Sequence, residues 1–227
     1  MFNSISKFHR SAVSLIAASM FLIAGSAIAG PKEDKVKPKK PGPDNILDIA
    51  LAVNAAAVEN EVEGVGEFEY LYAAVLCLEG DDLETVLGIL TGSDKHTLFA
   101  PTNEAFRSLQ RALTEDPDLE TSPELSCLVD DLLETEGALY TVLAYHLTEG
   151  RRFSNSVFNA NEPKEVEMIK AGSIITMPNL TIMDGALNPP VGLVLTLEAK
   201  PEISLINVNA SNGVIHTIDA VLVPALD

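Results

Sequence analysis

Three histidines follow residue 30 in this chain: His96, His146 and His216. Carboxylates are plentiful around them. Imidazole and carboxylate are the usual parts of general acid–base catalysis, and three imidazoles can hold a zinc ion. The spacing supports neither use locally, because the histidines lie 50 and 70 positions apart. The stretch NGVIHTIDAVLVP (212–224) sets His216 and Asp219 inside an apolar run. Three positions apart in a strand, they point to opposite faces and cannot act directly on each other. No Gly-x-Ser-x-Gly elbow, His-Glu-x-x-His helix, glycine-rich phosphate loop or Cys-x-x-Cys pair is present. We therefore assign no catalytic residue, no metal ligand and no cofactor, and expect a protein that is not an enzyme.

The two cysteines, Cys77 and Cys127, lie in apolar segments of helical pattern. In an oxidising compartment a disulfide is favoured over two buried thiols. That compartment is indicated by the first 29 residues. They carry Lys7 and Arg10, a short apolar core, and Ala27 and Ala29 before Gly30, the pattern of a cleavable secretory signal. The apolar run is too short for a membrane span. The expected destination is secreted, periplasmic or cell-surface.

Residues 30–43 follow as a tether rich in proline and lysine, which cannot build a core. One domain fills 44–227. From Asp44 onward 31 acidic residues face eight basic ones, a balance that repels nucleic acid. Between Pro41 and Asp94 there are twelve acidic residues and no basic one. No Asp-x-Asp-x-Asp-Gly loop gathers these acids into a calcium site, so they read as a solvated surface.

The elements that position these side chains fall into two textures. The first half is helical, beginning with NILDIALAVNAAA, which Asp44 can cap, and FEYLYAAVLCL. In HTLFAPTNEAF, Thr97 to Phe99 read as a strand. Thr102 or Asn103 then caps a helix with Phe106, Leu109 and Leu113 inside. GALYTVLAYHL reads as a further helix that places His146 at its C-terminal end, where a cation is favoured. After Gly150 β-branched runs dominate: SIITMPNLTIMD, GLVLTLE, ISLINVNA and VIHTIDAVLVP. Helices first and strands later predict an α+β domain. Asn212-Gly213 is expected to supply the positive φ values of a hairpin turn joining the last two runs. His216 and Asp219 are then structural pins in a strand too apolar for either face to be wet.

TLFAPTNEAF (97–106), LAYHLTEG (143–150) and NGVIHTIDAVLVP (212–224) resemble, in order, the signature segments of the fasciclin-type adhesion domain. The resemblance implies a β-wedge or sandwich of about seven strands flanked by a cluster of α-helices. It implies a non-enzymatic adhesion role toward cell-surface or matrix proteins or polysaccharide, with self-association a further option. It also makes Tyr145 and His146 a candidate contact site. The competing reading is a periplasmic module that holds a small ligand in an apolar pocket between sheet and helices.

Overall fold

The computed structural model describes residues 44–60, 68–159, 161–178, 180, 182–184, 198–199 and 206–224. The leader and the tether lie outside the described residues. In chain order the elements are α1 (Ile46–Asn60), α2 (Glu69–Leu76), α3 (Gly80–Thr91), β1 (His96–Pro101) and α4 (Asn103–Thr114). A 3-10 helix (Pro123–Leu128), α5 (Val129–Leu132), α6 (Ala138–Ala144), β2 (Leu147–Glu149) and α7 (Ser154–Val157) follow. The strand-rich part comprises β3 (Lys164–Glu167), β4 (Ser173–Thr176), β5 (Ile182–Asp184), β6 (Glu198–Ala199), β7 (Val208–Ala210) and β8 (Gly213–Ile218).

The expected α+β class is what the chain adopts. The described strands form two four-stranded sheets, ordered β2-β1-β8-β7 and β3-β4-β5-β6. The second is an antiparallel meander. The first has a parallel centre: β1 runs beside β8 with Phe99 opposite His216, and β2 and β7 flank them antiparallel.

Alternation along β1 gives each face of that sheet its own core. Leu98 and Ala100 join the helical cluster with Phe68, Leu71, Phe106, Leu139 and Ile215. Phe99 points the other way, to Tyr145, Val166, Ile174, Ile182 and Ile218. The helices therefore cover one face and the second sheet covers the other. With both faces covered, all six residues of β8 are buried. The turn from β1 into α4 is capped by Thr102, whose hydroxyl accepts the Ala105 N–H at 3.2 Å.

Several local expectations are corrected. The cap of α1 is Asn45, whose Oδ1 accepts the Asp48 N–H at 2.9 Å, rather than Asp44. The helix through LAYHL stops at Ala144, and Leu147–Glu149 turns into β2 because its partner, β1, offers an edge. The last strand ends at Ile218, where Thr102 N–H closes onto the Ile218 carbonyl at 3.0 Å, so Asp219 to Pro224 lie beyond it. The run GLVLTLE falls almost wholly outside the described residues.

Candidate functional site

His146 follows the C-cap of α6 and is 1% exposed. Its Nδ1 lies 2.7 Å from the Val142 carbonyl oxygen, and its Nε2 accepts the Leu222 N–H at 2.9 Å. A carbonyl can only accept and an N–H can only donate, so these partners assign the proton to Nδ1. The ring is neutral. Burial pushes its pKa down to about 4, against a smaller upward pull from the Val142 carbonyl. The expected cation at a helix end is thus absent, because desolvation outweighs the helix dipole there.

His216 sits in β8 and is fully buried. Its Nε2 lies 2.8 Å from the Arg152 carbonyl, and Nδ1 accepts the Asn207 N–H at 3.4 Å. The proton is therefore on Nε2, the opposite tautomer to His146. Burial also lowers this pKa. The ring stacks on Phe99 at 5.6 Å between centroids, and the Phe99 N–H donates to the His146 carbonyl at 2.9 Å. One phenylalanine thus joins the two histidines. All four ring nitrogens are committed to backbone groups, so neither imidazole offers a lone pair or proton to a substrate. His96 begins β1, three register positions from Phe99, and the histidines do not converge. Among the described residues no cluster of three His, Cys, Asp or Glu side chains could hold a metal ion.

Tyr145 is 1% exposed and its hydroxyl donates to the Ser173 carbonyl at 3.0 Å. It ties α6 to the second sheet as His146 ties it to the chain after β8. The expectation of a Tyr145–His146 contact patch is corrected by this burial, since a partner cannot reach either side chain in the folded state. Asp219 is exposed and lies one residue beyond β8, so it is not the buried carboxylate expected there.

Asn212 and Gly213 hold the sheet by a different device from the one expected. Register pairs Ala210 with Gly213, so the two-residue turn is Ser211-Asn212. Neither Asn212 nor Gly213 has positive φ. Asn212 is 2% exposed, and its Oδ1 accepts the Ile46 N–H at 2.9 Å while its Nδ2 donates to the Leu90 carbonyl at 2.9 Å. It thereby fastens the hairpin to the start of α1 and the end of α3. Gly213 is required by proximity. A Cβ there would overlap the His96 carbonyl oxygen and lie 2.6 Å from Ile46 Cδ1.

Cys77 and Cys127 form a disulfide with Cα atoms 5.2 Å apart, linking the end of α2 to the 3-10 helix. Sequence reasoning missed Thr97 and Arg151. The Thr97 hydroxyl donates to the Gly150 carbonyl at 2.7 Å and accepts the Arg152 N–H at 2.8 Å. Arg151 donates to the Ala210 carbonyl at 2.7 Å and to Asn209 Oδ1. The doubled arginine after Gly150 was the available signal.

Two recesses lie among the described residues. An apolar crevice lined by Ile46, Leu47, Leu51, Phe68, Tyr72 and Leu98, among others, has a volume of about 30 Å³. That is room for about one water, well below the roughly 300–1,000 Å³ of a ligand pocket. A wider cleft of about 520 Å³ opens beside Asn155, Ser156, Phe158, Asn159, Pro163 and Lys164. It is open, partly polar, and not the enclosed apolar space between sheet and helices.

A helical layer over a mixed sheet, a second sheet beneath, and a buried Tyr-His pair between them define a compact α+β module. The Fasciclin domain family model matches residues 74–224, and the chain belongs to that family. It is 29% identical over 181 residues to pig transforming growth factor-beta-induced protein ig-h3, covering 79% of this chain and 21% of that one. It is 28% identical over 179 residues to protein sll1483 of Synechocystis, covering 79% and 77%. Human periostin is 28% identical over 186 residues, covering 79% and 17%. The chain thus spans about a fifth of the pig protein and less of periostin. A FAS1 domain pair from the insect cell adhesion molecule Fasciclin I aligns with TM-score 0.40 and 19% identity, over 66% of this chain and 43% of that one.

Proposed function

We propose that this protein is a secreted or surface-associated, non-enzymatic module for adhesion to cell-surface or matrix material. The observation that carries the reading is the commitment of Tyr145, His146 and His216 to internal backbone partners. These three side chains hold the fold, which supports a reading in which the surface does the work. Family membership supports the same reading. Among the described residues no helix is long and apolar enough to cross a membrane.

The apolar-pocket reading has less support, because the crevice on the helical side is about 30 Å³. The test is capture of envelope polysaccharide and of cell-surface protein by the chain from residue 30 onward. Saturable capture that tracks folded protein is expected. Retention of neither class, together with stoichiometric binding of a small apolar metabolite, would replace adhesion with ligand carriage.

A further inference from the structure

From the unusual surface of α1 and α2, we infer that this face docks a cationic amphipathic segment of a partner protein. The inference deepens the adhesion reading by naming a surface and a partner chemistry. A surface helix ordinarily turns a polar stripe to water. The first ten residues of α1, ILDIALAVNA, hold one charged side chain, Asp48. Leu51 is 38% exposed, and Ala52 and Ala55 are exposed beside it. On α2, Tyr72 is half-buried, and Leu76, one turn further along the same face, is 48% exposed. Leu51 and Tyr72 meet at the apolar crevice, with Leu47 and Phe68 in its wall. At about 30 Å³ the crevice takes the tip of one apolar side chain, and the apolar face around it takes the rest of a segment.

Charge selects the occupant. Asp48 and Glu69 flank the face, exposed, and Glu79, Asp81 and Glu84 are exposed on and before α3. No lysine or arginine occurs from 42 to 94. An apolar centre flanked by exposed carboxylates that form no ion pair among the described residues matches a helix that carries leucines on one side and lysines or arginines on the other. The same rim opposes a second copy of this chain, which would bring like charges together.

The test uses an 18-residue helical peptide of leucine and lysine as probe, with a leucine–glutamate peptide as control. Binding to the chain from residue 30 onward is measured by calorimetry at low and at physiological salt. Leu51→Gln and Leu76→Gln preserve every charge, and both sites are exposed, so their melting temperatures should match the parent. The expected result is binding of the lysine peptide only, weakened at least tenfold in the double Gln variant. Asp48→Asn with Glu69→Gln should weaken it as well and flatten its salt dependence. Equal binding by the parent and the double Gln variant would mean general attraction to an acidic protein and would overturn the inference. A dimer that Leu51→Gln dissolves would place a second copy on the face and overturn it too. The peptide result decides this inference whatever the capture of polysaccharide or surface protein shows.

Discussion

The Nε2 atom of His146 accepts the backbone N–H of Leu222 at 2.9 Å, across 76 positions of sequence. The same ring holds the Val142 carbonyl at 2.7 Å through Nδ1. One neutral side chain therefore ends α6 and fixes the segment after β8. His146→Ala leaves a buried N–H without its acceptor and opens a cavity, so we expect a loss of at least about 2 kcal/mol in chemical denaturation. Adhesion per folded molecule should be unchanged. A variant with parental stability and lost adhesion would return His146 to a contact role.

Acid should weaken the fold from just below neutrality. The folded-state pKa of His146 is lowered to about 4 and that of His216 is also lowered, so both stay neutral in the native state where the unfolded chain takes up protons. Stability from this source is intact above the unfolded value of about 6.5 and falls as pH drops toward 4. For one histidine the slope approaches about 1.4 kcal/mol per pH unit. Urea midpoints between pH 7 and pH 5 should fall in the parent. The slope should be shallower in His146→Gln. A midpoint independent of pH in the parent would contradict the neutral assignment.

Gly213→Ala should cost about 1–3 kcal/mol or more, because the new methyl meets backbone at His96 and the Ile46 side chain. Asn212→Ala should cost a similar amount by removing its bonds to Ile46 N–H and the Leu90 carbonyl. Asn212→Asp is a sharper probe. It keeps the acceptor for Ile46 but loses the donor to Leu90, so it should destabilise near neutrality and recover as the carboxyl protonates. Full stability of Asn212→Ala would show that the hairpin is fastened by other contacts.

Much of this arrangement was legible in the sequence, for physical reasons that differ by element. The helical half was readable because its apolar periodicity is local. The β7–β8 hairpin was readable from two β-branched runs with a short polar break. The parallel β1–β8 pair was not, since its partners are more than a hundred residues apart and nothing local encodes the register. Strand β3, KEVE, was hidden because it is an edge strand in which exposed Glu165 and Glu167 sit on either side of the single buried apolar residue, Val166. Asn212 was singled out for the wrong reason. Turn statistics suggested positive φ, whereas a distant helix start and helix end claim its side chain. Tyr145 and His146 were located, but exposure is a tertiary property that the motif does not carry.

Reduction of the Cys77–Cys127 disulfide should lower stability by roughly 3–4 kcal/mol, since it releases a loop closed over 50 positions. Mass spectrometry of unreduced exported protein should find both thiols blocked. Free alkylation of both in native protein would contradict the pairing.

Salt should stabilise the domain. Among the described residues the ion pairs join Arg107 and Arg111 to Glu104, and from Asp44 onward 31 acids face eight bases, so like-charge repulsion outweighs attraction. Screening shortens from about 8 Å at 0.15 M to about 3 Å at 1 M, so melting temperature should rise into molar sodium chloride. Calcium at equal ionic strength should add little. A large increment from millimolar calcium would reveal a specific cation site.

The role of His146 and His216 as buried, neutral ties is tested most directly by nitrogen NMR of the imidazoles in the folded protein at pH 6. The expected spectrum shows two uncharged rings of opposite tautomer, Nδ1–H for His146 and Nε2–H for His216, neither of them averaging with solvent. A charged ring at that pH, or the two-tautomer average of an exposed imidazole at either position, would contradict it.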